Sequence, residues 1–268
     1  MVELFETQIV AQNRKSSKGN QLKWCDGEFW YKADYAGYEG FSEYVVSHLL
    51  QKLSLRNEEY VLYDTEQIKY KAQIFNGCRS RNFINEDWQI ITLERLFQSF
   101  MGESLNSCIY RIAEHEDRLR FMVEQTERIT GLNNFGEYIS KVLTVDSFFL
   151  NEDRHTHNLA VLMNGSGQYT YCPIFDNGAG LLSDTTMDYP LNSDVYELEE
   201  LPKSKTFCKE FDEQLIIAEK LYGQKICFTF NQQDVMKIIE AAPYSEEIKK
   251  RVMTVVFGQM RRYQYLFA

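Results

Sequence analysis

The chain has 268 residues, of which 44% are hydrophobic, and a formal net charge of −10. A chain of this length buries a sizeable core without disulfides, and its negative charge disfavours binding to nucleic-acid backbones and anionic membranes. Irregularly spaced cysteines, no leader and no apolar run of transmembrane length predict a cytoplasmic protein without a membrane span, although an effector delivered by a leaderless route would look the same.

A basic loop is the first feature along the chain. Residues 14–21 combine Arg, Lys and Ser with one glycine, Gly19, and lack the Gly-x-Gly-x-x-Gly pattern. Backbone amides around Gly19 are suited to a close approach to phosphate. An exposed basic turn is the alternative interpretation, because Ser, Lys and Gly are common in any loop.

A strand and a helix follow this loop. Residues 28–33 are aromatic and strand-like and contain Lys32. From Glu39 onward, apolar side chains recur at helical spacing, which predicts a helix containing Glu43. Two further strands are expected at 59–63 and 70–75.

Helical periodicity begins after Trp88 and continues to Leu150. It returns in the last sixty residues, where we expect structural helices. Between these two parts lie a predicted strand at 159–163, a turn, and a second predicted strand at 169–175. A hairpin of these two strands would bring the residues at its open end, Asn158 and Asp176, close enough to bind one metal ion.

The polar run 151–158 between the helix and the hairpin carries the main functional signal. Phosphoryl transfer needs a carboxylate to orient the attacking hydroxyl and an Asn and a second Asp to hold Mg²⁺. Asp153, Asn158 and Asp176 fit those roles in that order. Ordinary loop capping is the alternative for each residue taken singly. His155 and His157 make a zinc site a further possibility to consider, but two histidines without a Cys pair are a weak zinc signature.

The two motifs resemble a known family. The Asn-x-Asp-Arg-His-x-x-Asn loop and the Pro-x-Phe-Asp-Asn-Gly segment resemble the HipA-like serine/threonine kinases of bacteria, in their short form made of the kinase core alone. The loop is also similar to that of phosphatidylinositol 3- and 4-kinases. The resemblance runs from about residue 19 to about residue 220. It implies an α+β, two-lobed, protein-kinase-like fold, with an N-terminal antiparallel sheet lobe with one main helix at 1–85 and a mostly helical C-terminal lobe at 86–268.

The resemblance also implies roles for single residues. Lys32 would bind nucleotide phosphates and Glu43 would hold its ammonium group, in preference to Glu39. The alternative for Lys32 is a surface lysine on an edge strand. Ser17 and Gly19 would belong to the loop over the phosphates, and Ser16 or Ser17 would accept a phosphate by autophosphorylation.

Two residues of the catalytic loop have alternative roles. His155 would assist proton transfer beside Asp153 or support the loop by packing. Arg154 is expected to be structural or to pair with phosphate. The acidic segment 183–206 lies where a kinase binds its substrate and would favour a basic acceptor, although a solvated loop explains its composition as well.

We therefore expect an ATP- and Mg²⁺-dependent kinase that phosphorylates serine or threonine on a protein and also phosphorylates itself. By resemblance it would act as a toxin or effector, with an antitoxin-type partner. The alternatives are a phosphoinositide or small-molecule kinase and a catalytically silent module that binds nucleotide.

Overall fold

The computed structural model describes residues 1–9 and 21–268. In chain order the strands are β1 (Val2–Leu4), β2 (Lys23–Cys25), β3 (Phe29–Ala33), β4 (Tyr63–Tyr70), β5 (Gln73–Arg81), β6 (Trp88–Thr92), β7 (Ala160–Asn164) and β8 (Tyr169–Tyr171). The α-helices are α1 (Glu39–Leu50), α2 (Leu93–Met101), α3 (Leu105–Tyr110), α4 (His115–Thr130), α5 (Phe135–Phe149), α6 (Val195–Leu198), α7 (Phe211–Tyr222), α8 (Gln232–Ala241) and α9 (Glu246–Arg262). The chain is α+β, as its sequence predicts.

Packing divides the described residues into two compact units. The first unit consists of Met1–Phe83, Phe175–Pro202 and Phe228–Ala268, and the second of Ile84–Ile174 and Lys203–Cys227. The chain therefore returns to each unit after leaving it. The two units are built from separated segments, whereas the predicted lobes 1–85 and 86–268 are continuous ranges, so the lobes stay a prediction.

The first unit contains a five-stranded sheet in the order β1-β4-β5-β3-β2. All neighbouring strands are antiparallel except β1 and β4, which are parallel. One face of the sheet buries a cluster of apolar and aromatic side chains, which are Leu4, Trp24, Tyr31, Ala33 and Ile68. Strand β3, which carries Lys32, lies inside the sheet between β5 and β2, so the edge-strand interpretation of Lys32 is wrong.

Two of the predicted strand positions are wrong. The strand expected at 59–63 begins only at Tyr63, and the strand expected at 70–75 spans the turn between β4 and β5. Tyr70 pairs with Gln73, and Lys71 in the intervening turn has a φ of 54°. Strand β4 was missed because it is mostly polar: only Tyr63 and Ile68 of its side chains are buried, so its apolar alternation is weak.

Helix α1 packs against β3, β4, β5 and α8 in the first unit. Its start lies very close to the sheet, because a Cβ added to Gly40 would come within 2.7 Å of the Cα of Gly77 on β5. Only glycine at position 40 permits this approach. The close packing of the first turn sets the position of Glu43, one turn further along the helix.

The second unit combines a three-stranded antiparallel sheet, β6-β7-β8, with α2 to α5 and α7. The predicted hairpin of β7 and β8 is confirmed, with Val161 opposite Tyr171, but β8 ends at Tyr171 and not at residue 175 as predicted. Strand β6 was not predicted, because its five residues directly precede the periodic pattern of α2. Among the described residues, no helix combines the length and the apolar character needed to cross a membrane.

Candidate active site

Lys32 is the centre of a buried ionic cluster in the first unit. Its side-chain nitrogen Nζ lies 2.5 Å from Oε1 of Glu43 and 2.6 Å from Oδ1 of Asp176. Glu43 is 1% exposed and Lys32 8% exposed, while the Asp176 side chain keeps 26% of its surface in solvent. The cluster thus opens to solvent on the side of Asp176. Lys32 donates one hydrogen bond to each carboxylate.

The two carboxylates keep Lys32 charged. Burial by itself lowers the pKa of a lysine, but the negative charges of Asp176 and Glu43 hold the pKa of Lys32 well above its ordinary value. The ring of Tyr63 adds a cation–π contact, with Nζ 5.2 Å from the ring centroid. A permanent positive charge is therefore held in place before any ligand binds.

Glu43, and not Glu39, is the partner of this lysine. The carboxylate of Glu39 accepts hydrogen bonds from the backbone N–H groups of Tyr35, Ala36 and Gly37, ahead of α1. Glu43 uses its second oxygen, Oε2, to accept the backbone N–H of Asn177 at 2.8 Å. One carboxylate therefore holds both Lys32 and the segment that follows Asp176.

The segment from Asp176 onward is fixed by further contacts to α1. Ser42 donates its hydroxyl to the carbonyl oxygens of Asn177 and Gly180, at 2.8 and 3.1 Å. Asp176 itself has a φ of 62°, in the left-handed region that only a minority of non-glycine residues adopt. Such a conformation costs of order 1–3 kcal/mol and persists only where the surroundings hold it. The contacts of Glu43 and Ser42 to the next residues supply that restraint.

A second lysine, which the sequence did not single out, approaches Asp176. Lys23 on β2 lies directly across from Lys32 on β3, and its Nζ is 3.9 Å from Oδ1 of Asp176. Like charges opposite one another destabilise a sheet, but here a carboxylate lies between them. No sequence pattern marks Lys23, because the pairing of β2 with β3 alone brings it to this position.

In the second unit the polar loop 151–158 is anchored by a buried ion pair. Nε of Arg154 lies 3.1 and 3.0 Å from the two carboxylate oxygens of Asp146 on α5, and both side chains are almost fully buried. The side-chain amide of Asn151 donates to the same carboxylate at 3.0 Å. Arg154 also donates to the carbonyl oxygen of Asn158 at 3.3 Å. Arg154 is thus structural, one of the two roles expected for it.

Asp146 was missed by sequence reasoning. It lies in an apolar stretch of α5 that is otherwise read as core, and burial raises its pKa against the opposing effect of Arg154. A carboxylate inside such a stretch is the available signal, because a buried charge requires a partner.

The loop brings Asp153, His155 and Asn158 together. The side-chain amide nitrogen of Asn158 donates to the backbone carbonyl of Asp153 at 2.7 Å and to its Oδ2 at 3.3 Å. This orientation leaves Oδ1 of Asn158 as the atom that the predicted magnesium site would use. Nε2 of His155 lies 3.8 Å from Oδ1 of Asp153. The proximity of this imidazole fits either role expected for His155.

Lys205 is a further residue beside Asp153. Its Nζ lies 3.8 Å from Oδ1 of Asp153. The hydroxyl of the next residue, Thr206, donates to the backbone carbonyl of Arg154 at 2.6 Å. The segment that carries Lys205 is therefore tied to the loop. Sequence reasoning missed Lys205, because more than fifty residues separate it from Asp153 and no motif includes it.

The other predicted site residues have different outcomes. Ser17 and Gly19, together with Ser16, lie outside the described residues. Asn158 and Asp176 belong to different units, and their shared magnesium site stays a prediction. Within the described part of the chain, the one group of three His, Cys, Asp or Glu donors close enough to share an ion does not include His155 or His157.

Comparison with known proteins gives one kind of match. No protein-family profile matches the chain, and no curated protein matches its sequence. Among solved structures, the chain is similar to the proinflammatory kinase CtkA of Helicobacter pylori, with a TM-score of 0.61 over 97% of this chain and 94% of that chain. The two sequences are 15% identical. This likeness shows that the fold is kinase-like, which confirms the predicted fold class, and it does not single out the HipA-like kinases.

Proposed function

We propose that the chain is an ATP- and Mg²⁺-dependent kinase that transfers phosphate to serine or threonine of a protein, and to itself. The observation that carries the proposal is the buried ammonium group of Lys32 between Glu43 and Asp176. Protein kinases bind nucleotide phosphates with a charged lysine that lies on an internal strand and is held by a glutamate of a helix. The kinase-like fold supports the same class of reaction.

The oxygen donors of the site suit a hard divalent cation. Carboxylate and amide oxygens are the protein ligands that Mg²⁺ accepts, and Asp176 and Asn158 offer one of each. When bound, Mg²⁺ would neutralise charge on the phosphates. Mg²⁺ would compete with Lys32 for Asp176, because Lys32 already donates a hydrogen bond to its Oδ1. We propose that Lys32 shifts from Asp176 toward the phosphates when nucleotide and metal enter, while Glu43 keeps hold of the ammonium group.

Asp153 is proposed to orient the acceptor hydroxyl and to accept its proton. The carboxylate is held from one side by the amide of Asn158. Lys205 and His155 both approach its other oxygen, Oδ1, at 3.8 Å. A positive charge at Lys205 is suited to stabilise the transferred phosphoryl group. His155 would relay the proton onward or hold the carboxylate in place.

The test is transfer of label from γ-labelled ATP with Mg²⁺, measured alone and with a basic protein acceptor. We compare wild type with Lys32→Met and with Lys69→Met, which removes an exposed lysine of β4 in the same unit. Loss of a positioned charged donor costs about 10²–10³-fold in turnover, so Lys32→Met should fall by that factor and Lys69→Met should not. Circular dichroism checks that each variant is folded.

If Lys32→Met does not fold, Glu43→Gln serves instead, because it keeps the side-chain shape and removes the charge that holds Lys32. Label in wild type that neither variant reduces would contradict the assignment of this cluster. No label on any protein, with label on phosphoinositide vesicles, would establish the lipid-kinase alternative. Nucleotide binding without any transfer would establish a silent module.

The acceptor and the biological role are proposals by resemblance only. Mass spectrometry of the labelled protein tests autophosphorylation at Ser16 or Ser17. A toxin or effector role predicts that expression of wild type slows growth of the host cell and that Asp153→Asn does not. Co-purification would then test for an antitoxin-type partner.

A further inference from the structure

Three side chains of different donor chemistry converge in the second unit, apart from the loop 151–158. His115 is the first residue of α4, Cys208 lies just before α7, and Glu213 is in the first turn of α7. Their imidazole nitrogen, sulfur and carboxylate oxygen lie within 4.8 Å of one another. Almost a hundred residues separate His115 from the other two, so only the packing of the unit creates this group.

The contacts around the group hold its backbone in place. Nδ1 of His115 lies 2.6 Å from Oε1 of Glu213, which links the starts of α4 and α7. Arg118, one turn along α4, donates to the carbonyl oxygen of Phe207 at 3.0 Å and to that of Ile112 at 2.8 Å. The residue before Cys208 is therefore tied to α4, which keeps the thiol close to His115.

We propose that His115, Cys208 and Glu213 bind a zinc-class divalent cation. Zinc in proteins takes nitrogen, sulfur and carboxylate oxygen at about 2.0–2.3 Å, so the donor atoms of a tetrahedral site lie about 3.5 Å apart. To reach that spacing, Nδ1 of His115 and Oε1 of Glu213 would move apart from 2.6 Å, and any wider pair would close from at most 4.8 Å. Mixed His, Cys and carboxylate donors favour zinc over magnesium or calcium, which prefer oxygen alone.

The exposure of the three side chains leaves a path from solvent to the thiol. Cys208 is 1% exposed, whereas the side chains of His115 and Glu213 are 34% and 45% exposed, so a cation reaches the sulfur from the solvent side through the other two ligands. Binding replaces the S–H bond with a metal–sulfur bond and releases one proton to solvent. Three protein ligands leave the fourth position to water.

A cation at this position would join α4 to the segment 203–210. That segment carries Lys205 and Thr206, which contact the loop 151–158. Metal binding is therefore expected to stabilise the second unit and to restrain the segment beside Asp153. The inference does not depend on kinase activity.

The experiment is a titration of the metal-free full chain with Co²⁺, which replaces zinc and absorbs light when a thiolate binds it. We expect a sulfur-to-cobalt charge-transfer band that saturates at one equivalent and disappears on addition of Zn²⁺. Cys208→Ser should abolish the band. Cys108→Ser is the matched control, because Cys108 is also a buried thiol of the second unit beside a carboxylate, that of Glu103, and it should keep the band. Magnesium sites lack sulfur and give no such band.

The variants His115→Gln and Glu213→Gln test the remaining ligands at half-exposed positions where the fold should tolerate change. Each should weaken Zn²⁺ binding by about tenfold or more, measured by competition with a chromophoric chelator. A wild-type protein without a charge-transfer band, a band that survives in Cys208→Ser, or unchanged zinc affinity in both half-exposed variants would overturn the site. If Cys208→Ser fails to fold, the two half-exposed variants decide the question.

Discussion

The two units position their candidate catalytic groups in different ways. In the first unit Lys32 and Glu43 belong to regular elements, a central strand and a helix, and the charges neutralise one another directly. In the second unit Asp153 and Asn158 lie on an irregular loop, which depends on the buried pair of Asp146 and Arg154 beneath it. A site residue on a sheet or helix takes its position from the backbone hydrogen bonds of that element, whereas a site residue on a loop needs a dedicated polar anchor.

The largest expected effect is on turnover, and it comes from changing the candidate catalytic carboxylate on the loop of the second unit. Asp153→Asn removes the proton acceptor while keeping the shape, so turnover should fall by about 10²–10⁴-fold. The measurement is steady-state transfer from γ-labelled ATP. Asp87→Asn, at an exposed aspartate of the same unit, is the control. Equal turnover in the Asp153 variant and wild type would remove the role given to Asp153.

The next largest effect is expected on stability, when the buried ion pair that anchors the loop is removed. Arg154→Met leaves the carboxylate of Asp146 buried without its cation, and losing one partner of a buried pair costs about 3–5 kcal/mol. Urea unfolding, followed by circular dichroism, gives the free energy of unfolding. Arg120→Met is the matched control, since Arg120 pairs on the surface of α4 with Glu116, and such pairs contribute at most about 1 kcal/mol. Similar losses in both variants would contradict the anchoring role of Arg154.

Within the first unit, the carboxylate of Asp34 differs from those of Glu43 and Asp176, because it accepts hydrogen bonds from uncharged groups, whereas they accept them from Lys32. Burial raises the pKa of Asp34 from 3.8 to about 7, against a hydrogen bond from the backbone N–H of Gly40. Because folding raises this pKa, the contribution of Asp34 to stability is complete below pH 3.8 and is lost as the pH rises toward 7.

Asp34→Asn cannot ionise and should therefore gain on wild type as the pH rises. Between pH 5 and pH 7 the free energy of unfolding of wild type should fall relative to the variant by up to about 1.4 kcal/mol per pH unit. A constant difference between Asp34→Asn and wild type over this range is the contradicting result.

The smallest effect concerns the restraint on the segment after Asp176. Ser42→Ala removes the hydroxyl that donates to the carbonyl oxygens of Asn177 and Gly180, and a buried hydrogen bond left unmade costs about 1–3 kcal/mol. Thr254→Ser keeps a hydroxyl that donates to the carbonyl oxygen of Lys250 at an exposed position of α9, and it provides the baseline. Thermal unfolding measures both. If Ser42→Ala matches that baseline, the hydroxyl of Ser42 does not contribute to holding the segment.

Much of the architecture could be predicted from the sequence because it is encoded locally. The helical periodicity of α5, α7 and α9 and the apolar run of β7 specify their own conformations, since each pattern repeats at the period of the element it forms. Strand β4 escaped prediction for the opposite reason: its side chains are mostly polar, and its pairing with β5 and β1 makes it a strand.

The candidate site divides along the same line. The sequence pointed to Asp153, Asn158 and Asp176, because phosphoryl transfer needs such side chains and the three lie within one short stretch. The resemblance to kinases added Lys32 and Glu43. The amino-acid composition also sets the net charge of −10. These properties depend on nothing beyond the covalent chain.

Tertiary structure decided which charges meet. Lys23 reaches Asp176 through strand pairing, Asp146 reaches Arg154 through the turn at the end of α5, and Lys205 reaches Asp153 through the return of the chain to the second unit. Electrostatic interaction depends on distance and burial, and neither quantity is a function of separation along the chain. The same holds for His115 and Cys208, whose donor atoms become neighbours only when α4 packs against the start of α7.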